Sequence, residues 1–181
     1  SAMETWTAID TVRVVRSFSD RAIEPDRLRR ILDAARRTGS SKNEQDWAFI
    51  VVSDRAHLTE LAAVGPFAGH LAGATVAVAL AIPRTDDAWD LGRAAQSMIL
   101  AAWEMGIGSV PATVYDHALA ARLLDVPDDW SCPYLLSFGY PADPEVLTRP
   151  KRAGQRKTLT EIVHVERWGM PWSADHASDR D

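Results

Sequence analysis

Apolar residues recur along the chain in two ways, at a spacing near 3.6 residues and in short unbroken runs, with polar or glycine-proline breaks between them. Trp6, Ile9 and Val12, continued by Val15, keep the helical spacing and predict a first helix over residues 4–15. Leu28, Ile31, Leu32 and Ala35 form the stripe of a second helix, with Arg27, Arg30, Arg36 and Arg37 on its wet side. Pro25 opens that helix in the favoured first turn, Glu24 and Asp26 complement its dipole, and Gly39 is placed to stop it. The run Ala48–Val52 predicts a strand, and residues 54–63 a short helix capped by Ser53 or Asp54. Gly65-Pro66 and Gly69 then break the chain around Phe67, His70 and Leu71.

Residues 75–82 repeat Val and Ala, the mark of a strand covered on both faces. In the loop that follows, Asp86 and Asp87 suit a helix cap better than a metal. Residues 88–105 form the longest predicted helix, roughly 27 Å at 1.5 Å per residue. Leu91, Ala94, Ala95, Met98, Ile99, Ala102 and Met105 make it apolar over most of its girth, as suits a central helix or a subunit interface. An extended run over residues 106–113, a helix at His117–Leu124 and a strand at 134–138 complete the main pattern. Residues 142–157 are irregular, proline-bearing and basic, a length that is usually functional or wraps a neighbour. Thr158 and Glu161 stand at capping-box spacing before a last helix. The pattern suits one domain over residues 3–172, with a mobile tail from 173 to 181.

Composition narrows the function classes. The 181 residues carry a formal net charge of -5, which argues against nucleic acid or a polybasic membrane anchor as partner. The single cysteine, Cys132, fits a small core residue in a reducing compartment. The longest apolar run, residues 76–82, is too short to span a bilayer, and the opening residues lack a secretory pattern. Ser1-Ala2-Met3 reads as a cleavage scar, and the expected location is cytoplasmic. His57, His70, His117, His164 and His176 show no metal-ligand spacing, and neither a G-x-S-x-G elbow nor a P-loop occurs. Catalysis would then need an organic cofactor that brings its own reactivity.

Three stretches are candidates to hold one. Arg13 and Arg16 stand three apart, where two guanidinium forks suit a phosphate and equally suit solvent. Residues 39–47 crowd Ser40, Ser41, Asn43 and Gln45 between a helix and a strand. Such uncharged donors and acceptors suit the isoalloxazine of a flavin, although a plain solvated turn uses the same residue types. Gly106 and Gly108 lack the third glycine and the preceding strand of a dinucleotide fingerprint. They fit a helix stop and a close approach to something flat, or a simple helix-to-strand turn.

In order, four patches resemble the FMN-dependent nitroreductase family. Val12-Arg13-Val14-Val15-Arg16-Ser17-Phe18 is similar to its opening R-R-S-x-R-x-F, with Val12 and Val14 in place of an arginine and a serine. Residues 35–47 resemble A-x-x-A-P-S-x-x-N-x-Q-P-W, with Gly39 and Asp46 where prolines are common. Residues 100–113 resemble its helix, G-x-G and flavin-facing strand, and residues 155–163 its closing R-K-P-L-x-E-I-V.

The resemblance implies an α+β fold, a three-layer α-β-α sandwich with a mixed central sheet around a long apolar helix, and a homodimer with two FMN sites at its interface. It implies that Arg13, Arg16 and Arg156 bind the FMN phosphate, with Val12, Val14 and Lys157 at neighbouring motif positions. Ser40 and Ser41 would approach the flavin from the opposite subunit, and Asn43 and Gln45 would address its pyrimidine edge or ribityl chain. Pro111, Ala112 and Thr113 would lie against the ring through their backbone. The implied activity passes reducing equivalents from NAD(P)H to a nitroaromatic, quinone or activated alkene by a ping-pong mechanism. A deazaflavin donor is a further option, and the loops around 67–71 and 83–89 would set selectivity. FMN storage or sensing without turnover is the alternative reading.

Overall fold

The structure is a computed structural model and describes residues 3–173. It divides into two compact units, residues 1–148 and the chain from Arg149 onward. The first unit holds α1 (Thr5–Thr11), α2 (Pro25–Arg36), β1 (Ala48–Val52), α3 (Arg55–Leu61), β2 (Val76–Pro83), α4 (Trp89–Glu104), β3 (Gly108–Thr113), α5 (His117–Leu124) and β4 (Trp130–Gly139). Short 3-10 turns lie at Ser41–Asn43, Gly69–Gly73 and Pro144–Leu147.

The strands form one sheet in the order β1-β2-β4-β3. All three ladders are antiparallel, which corrects the expectation of a mixed sheet. Among the described residues the one parallel pairing is an isolated bridge between Val14 and Ser109. A strand buried on both faces reads as a continuous apolar run whichever way its neighbours point, so the run at β2 could not report direction.

Two cores follow from the period-2 alternation of β2. Val76, Val78, Leu80 and Ile82 join Leu136 and Phe138 in a cluster with α2 and α4. Ala77 and Ala79 face the other way, with Leu135 and Cys132, into a cluster with α3 and α5. Helices therefore cover both faces of the sheet, and one apolar face on each side drives the packing. Burial pushes the Cys132 thiol up to about 11, so it is a core residue and no nucleophile at neutral pH.

Several elements depart from their predicted bounds. α1 ends at Thr11, and the chain turns extended at Val12. Its predicted apolar stripe is not covered within this unit, for Trp6 is 75% exposed, Ile9 is 49% exposed, and only Ala8 of the helix is buried. β4 begins four residues earlier than predicted, because Pro133, which argues against a central strand, lies where its register with β2 shifts between Leu80 and Ile82. Gly39 does not cap α2, which closes at Arg37. The missing side chain instead makes room for Arg93, whose Nη2 would lie 3.1 Å from an added Cβ. The cap expected of Asp86 or Asp87 is not made, for α4 opens at Ala88 without a side-chain cap, and Asp87 accepts instead from the Trp89 amide two residues on at 3.0 Å.

The second unit contains α6 (Leu159–Ile162), opened by the expected capping box between Thr158 and Glu161. Its His164 ring stacks on Trp168 with centroids 4.3 Å apart. The tail predicted to be mobile lies, apart from Ser173, outside the described residues.

Candidate functional site

The arginine motif sits on an extended segment bound to the sheet. The Val15 amide donates to the Ser109 carbonyl at 3.0 Å, and the Ala142 amide to the Ser17 carbonyl at 2.9 Å. Phe18 bridges Pro141. Two glycines permit this approach. A Cβ on Gly108 would meet Val15 Cβ at 2.6 Å, and one on Gly139 would meet Phe18 at 2.7 Å. The close approach expected at Gly108 is thus made by the segment that carries Arg13 and Arg16, and Gly106, at φ +76, is the expected helix stop. Arg13 and Val12 are half-buried, while Arg16 and Val14 are exposed.

A cavity of about 500 Å³ opens beside this segment, lined by Arg16, Phe67, Gly69, His70, Val110 and Pro111. β3 is an edge strand, the place where a proline can sit in a sheet. Pro111 and Thr113 are exposed on it and Ala112 is buried. His70 is engaged at both ring nitrogens, Nδ1 lying 2.7 Å from Ser137 Oγ and Nε2 3.2 Å from the Pro111 carbonyl. Burial, and then the nearby Arg16 guanidinium, hold its pKa below the ordinary histidine value despite the bond to Pro111. Gly65 underlies the end of β3, for a Cβ there would stand 2.5 Å from the Thr113 carbonyl.

The loop at 39–47 is held from α4. Asp90 accepts from the Ser41 amide at 2.9 Å, a bond that keeps its carboxyl below the usual carboxylate range, and Arg93 Nη1 donates to it at 3.2 Å. Within the loop the Gln45 amide donates to Ser40 Oγ at 3.0 Å, and Gln45 Nε2 to the Asn43 carbonyl at 3.3 Å. Lys42, Asn43 and Gln45 all take positive φ, at 51, 57 and 56°, a conformation that costs free energy outside glycine and clusters at functional sites. Ser40, Ser41 and Gln45 line a cavity of about 240 Å³ with Asp86, Asp87 and Asp90, and Asn43 is exposed beside them.

Within one chain, then, Arg16 and Pro111 share one cavity, and Ser40, Ser41 and Gln45 share another. The two have no lining residue in common. Arg156 and Lys157 belong to the second unit, where both are exposed and Arg156 Nη1 donates to the Gln155 carbonyl at 3.2 Å. Sequence reasoning missed His70 with Ser137, and Asp90 with Arg93. A histidine beside a glycine break was the available hint for the first pair, and an acid in the first turn of a helix the hint for the second. Among the described residues no group of three or more His, Cys, Asp or Glu is placed to hold a metal, and no helix is long and apolar enough to cross a membrane.

Known proteins share this architecture. The nitroreductase family model matches residues 9–66 and 62–140 of the chain. An Archaeoglobus fulgidus protein named "Putative NADH dehydrogenase/NAD(P)H nitroreductase" is 37% identical over 176 residues, 91% of this chain and 99% of that protein. A protein of the same name from Methanothermobacter thermautotrophicus is 30% identical over 179 residues, 93% of this chain and 90% of that one. The solved structure of an FMN-dependent nitroreductase from Clostridium difficile matches with a TM-score of 0.79 at 25% identity, over 89% of this chain and 98% of its own. The α+β fold and these relatives mark an oxidoreductase. The chain belongs to the nitroreductase family.

Proposed function

We propose that the protein is an FMN-dependent oxidoreductase that passes reducing equivalents from NAD(P)H to a small oxidised acceptor such as a nitroaromatic, a quinone or an activated alkene. The observation that carries this reading is the cavity in which Arg16 meets Pro111, beside a strand edge to which the arginine segment is bonded at Val15. Its volume, about 500 Å³, lies within the range of cofactor sites, roughly 300 to 1,000 Å³. Arg13 and Arg16 would hold the phosphate. Val12 and Val14 have no side-chain donor, so only their backbone can contribute there. Pro111, Ala112 and Thr113 would lie against the ring. FMN, when bound, would supply the hydride chemistry in two ping-pong half-reactions, one for the donor and one for the acceptor. The chain's own part is placement and electrostatics.

The reading includes a homodimer. Ser40, Ser41, Asn43 and Gln45 would complete the site from the partner subunit, since within one chain their cavity shares no lining residue with that of Arg16. Uncovered Trp6 and Ile9, with Val14 46% exposed nearby in sequence, supply apolar surface for such a contact.

A visible absorption spectrum of the purified protein, taken before and after anaerobic addition of NADPH, tests the reading. A flavin band that bleaches is the expected result. A band that stays oxidised with both NADPH and NADH would favour storage. No band, and none after soaking in FMN, would overturn the assignment of Arg13, Arg16, Ser40 and Asn43.

A further inference from the structure

The cavity beside Arg16 contains one arrangement that the cofactor reading does not use. Ser137 is fully buried on β4, paired across the sheet with Ala77 and Val110 and surrounded by the apolar core of α3 and α5. A hydroxyl there needs a partner, because an unpaired buried polar group is costly. Its partner is Nδ1 of His70, and the other ring nitrogen faces the Pro111 carbonyl.

These contacts determine where the proton sits. A carbonyl can only accept, so Nε2 must carry the hydrogen. The neutral ring then offers a lone pair at Nδ1, and the Ser137 hydroxyl donates into it. A second proton at Nδ1 would turn the serine hydroxyl away in search of another acceptor within an apolar core. It would also set a positive ring near Arg16, the charged group that acts on it from the arginine segment. β3 and β4 bring the Pro111 carbonyl and the Ser137 hydroxyl to the ring, and neither is charged.

The strand edge explains what the arrangement does. Ser109 directs its carbonyl to the open side of β3, where the Val15 amide takes it. Pro111 stands two residues on, so strand alternation turns its carbonyl to the same side. Proline has no amide hydrogen, so that carbonyl is the one backbone polar group Pro111 offers there.

We propose that His70 is a positioning residue of the cofactor site: as the Nε2–H tautomer, with Ser137 donating to its Nδ1, it caps the Pro111 carbonyl and fixes the edge of β3 on which the ring would lie. The proposal rests on the FMN reading above. It ties the 67–70 loop to the strand and leaves no bare acceptor at Pro111 to meet the ring's own carbonyl oxygens.

Two measurements test it. Imidazole nitrogen shifts, read by NMR on flavin-free protein, are expected to show the Nε2–H tautomer at pH 7 and a titration below the ordinary value of 6.5. Ser137→Ala should leave that tautomer, which the Pro111 carbonyl sets, in place and move the Nδ1 shift toward that of an unbonded imidazole nitrogen. An Nδ1–H tautomer, or an Nδ1 shift that does not move in Ser137→Ala, would overturn the proposal. FMN titration comes second. His70→Ala should bind FMN roughly 3- to 10-fold more weakly, the size of one hydrogen bond. His70→Gln, whose amide keeps a donor for Pro111, should recover most of that loss. Wild-type affinity in His70→Ala, or a His70→Gln as weak as His70→Ala, would overturn it too. Failure of the wild type to take up FMN would instead refute the cofactor reading, and the nitrogen shifts, measured without flavin, would still show whether Pro111 and Ser137 hold the histidine.

Discussion

At the scale of single residues, the site depends on what is absent as much as on what is present. Gly108 lets the arginine segment lie against β3, and its replacement has a calculable consequence. In Gly108→Ala the new methyl would overlap Val15 at 2.6 Å, and the Val15–Ser109 hydrogen bond holds the two backbones together, so neither can retreat freely. The overpacking should cost about 1–3 kcal/mol. Urea unfolding measures this, with Gly73→Ala as the control, since a methyl at Gly73 meets nothing within 4 Å. Equal midpoints for the two variants would show that the segment is not clamped as described. The arginines and the neutral loop residues were legible in sequence because their chemistry is local. His70 with Ser137 was not, because 67 positions separate the partners and only the sheet brings them together.

Among the elements, runs with strong periodicity were read almost to the residue. β1 and α5 have the predicted bounds. What failed were ends and directions. α1 was predicted too long because Val12 and Val15 continue its spacing, yet Gly108 and Ser109 pull those residues into an extended bridge. α2 is anchored by a tertiary cluster that no local rule announces. Its N-cap residue Glu24 accepts from the Tyr140 hydroxyl and from Arg21, and Arg27 reaches both Tyr140 and the carbonyl of Met105 at the end of α4. The Tyr140 hydroxyl first, with a backbone bond and Arg21 behind it, holds the Glu24 carboxyl well below its usual 4.5, at about 2. A carboxyl whose folded value is depressed stabilises the fold above its unfolded value and loses that contribution as pH falls through the folded one. Wild-type stability in urea should therefore fall toward that of Glu24→Gln between about pH 4.5 and pH 2. A stability difference between the two proteins that stays constant across that window would mean the cluster does not form in solution.

At the scale of the whole molecule, the covering of both sheet faces was readable from the Val and Ala run of β2 and the α+β class came from the family resemblance, while the antiparallel order was not readable, since pairing direction leaves no mark on a run buried on both sides. Alternation along α1 likewise predicted a buried stripe, and within one chain nothing buries it. Trp6 and Ile9 leave apolar surface on α1 for the proposed second copy to cover, and the neutral loop and the arginine cavity share no lining residue within one chain. In the proposed homodimer a second copy would cover α1 and bring its loop to the cavity. Sedimentation should then give twice the chain mass. Trp6→Glu with Ile9→Glu should give a monomer, because a charge on each helix would enter an interface that, to be stable, buries on the order of 800 Å² per partner. Both side chains are exposed in the single chain, so the helical circular dichroism should persist. FMN affinity should fall at least tenfold as the partner's serines leave, a loss of about 1.4 kcal/mol or more. A monomeric wild type that still binds FMN would refute the two-chain site, and a double variant that stays dimeric with FMN bound would move the contact away from α1 to another surface.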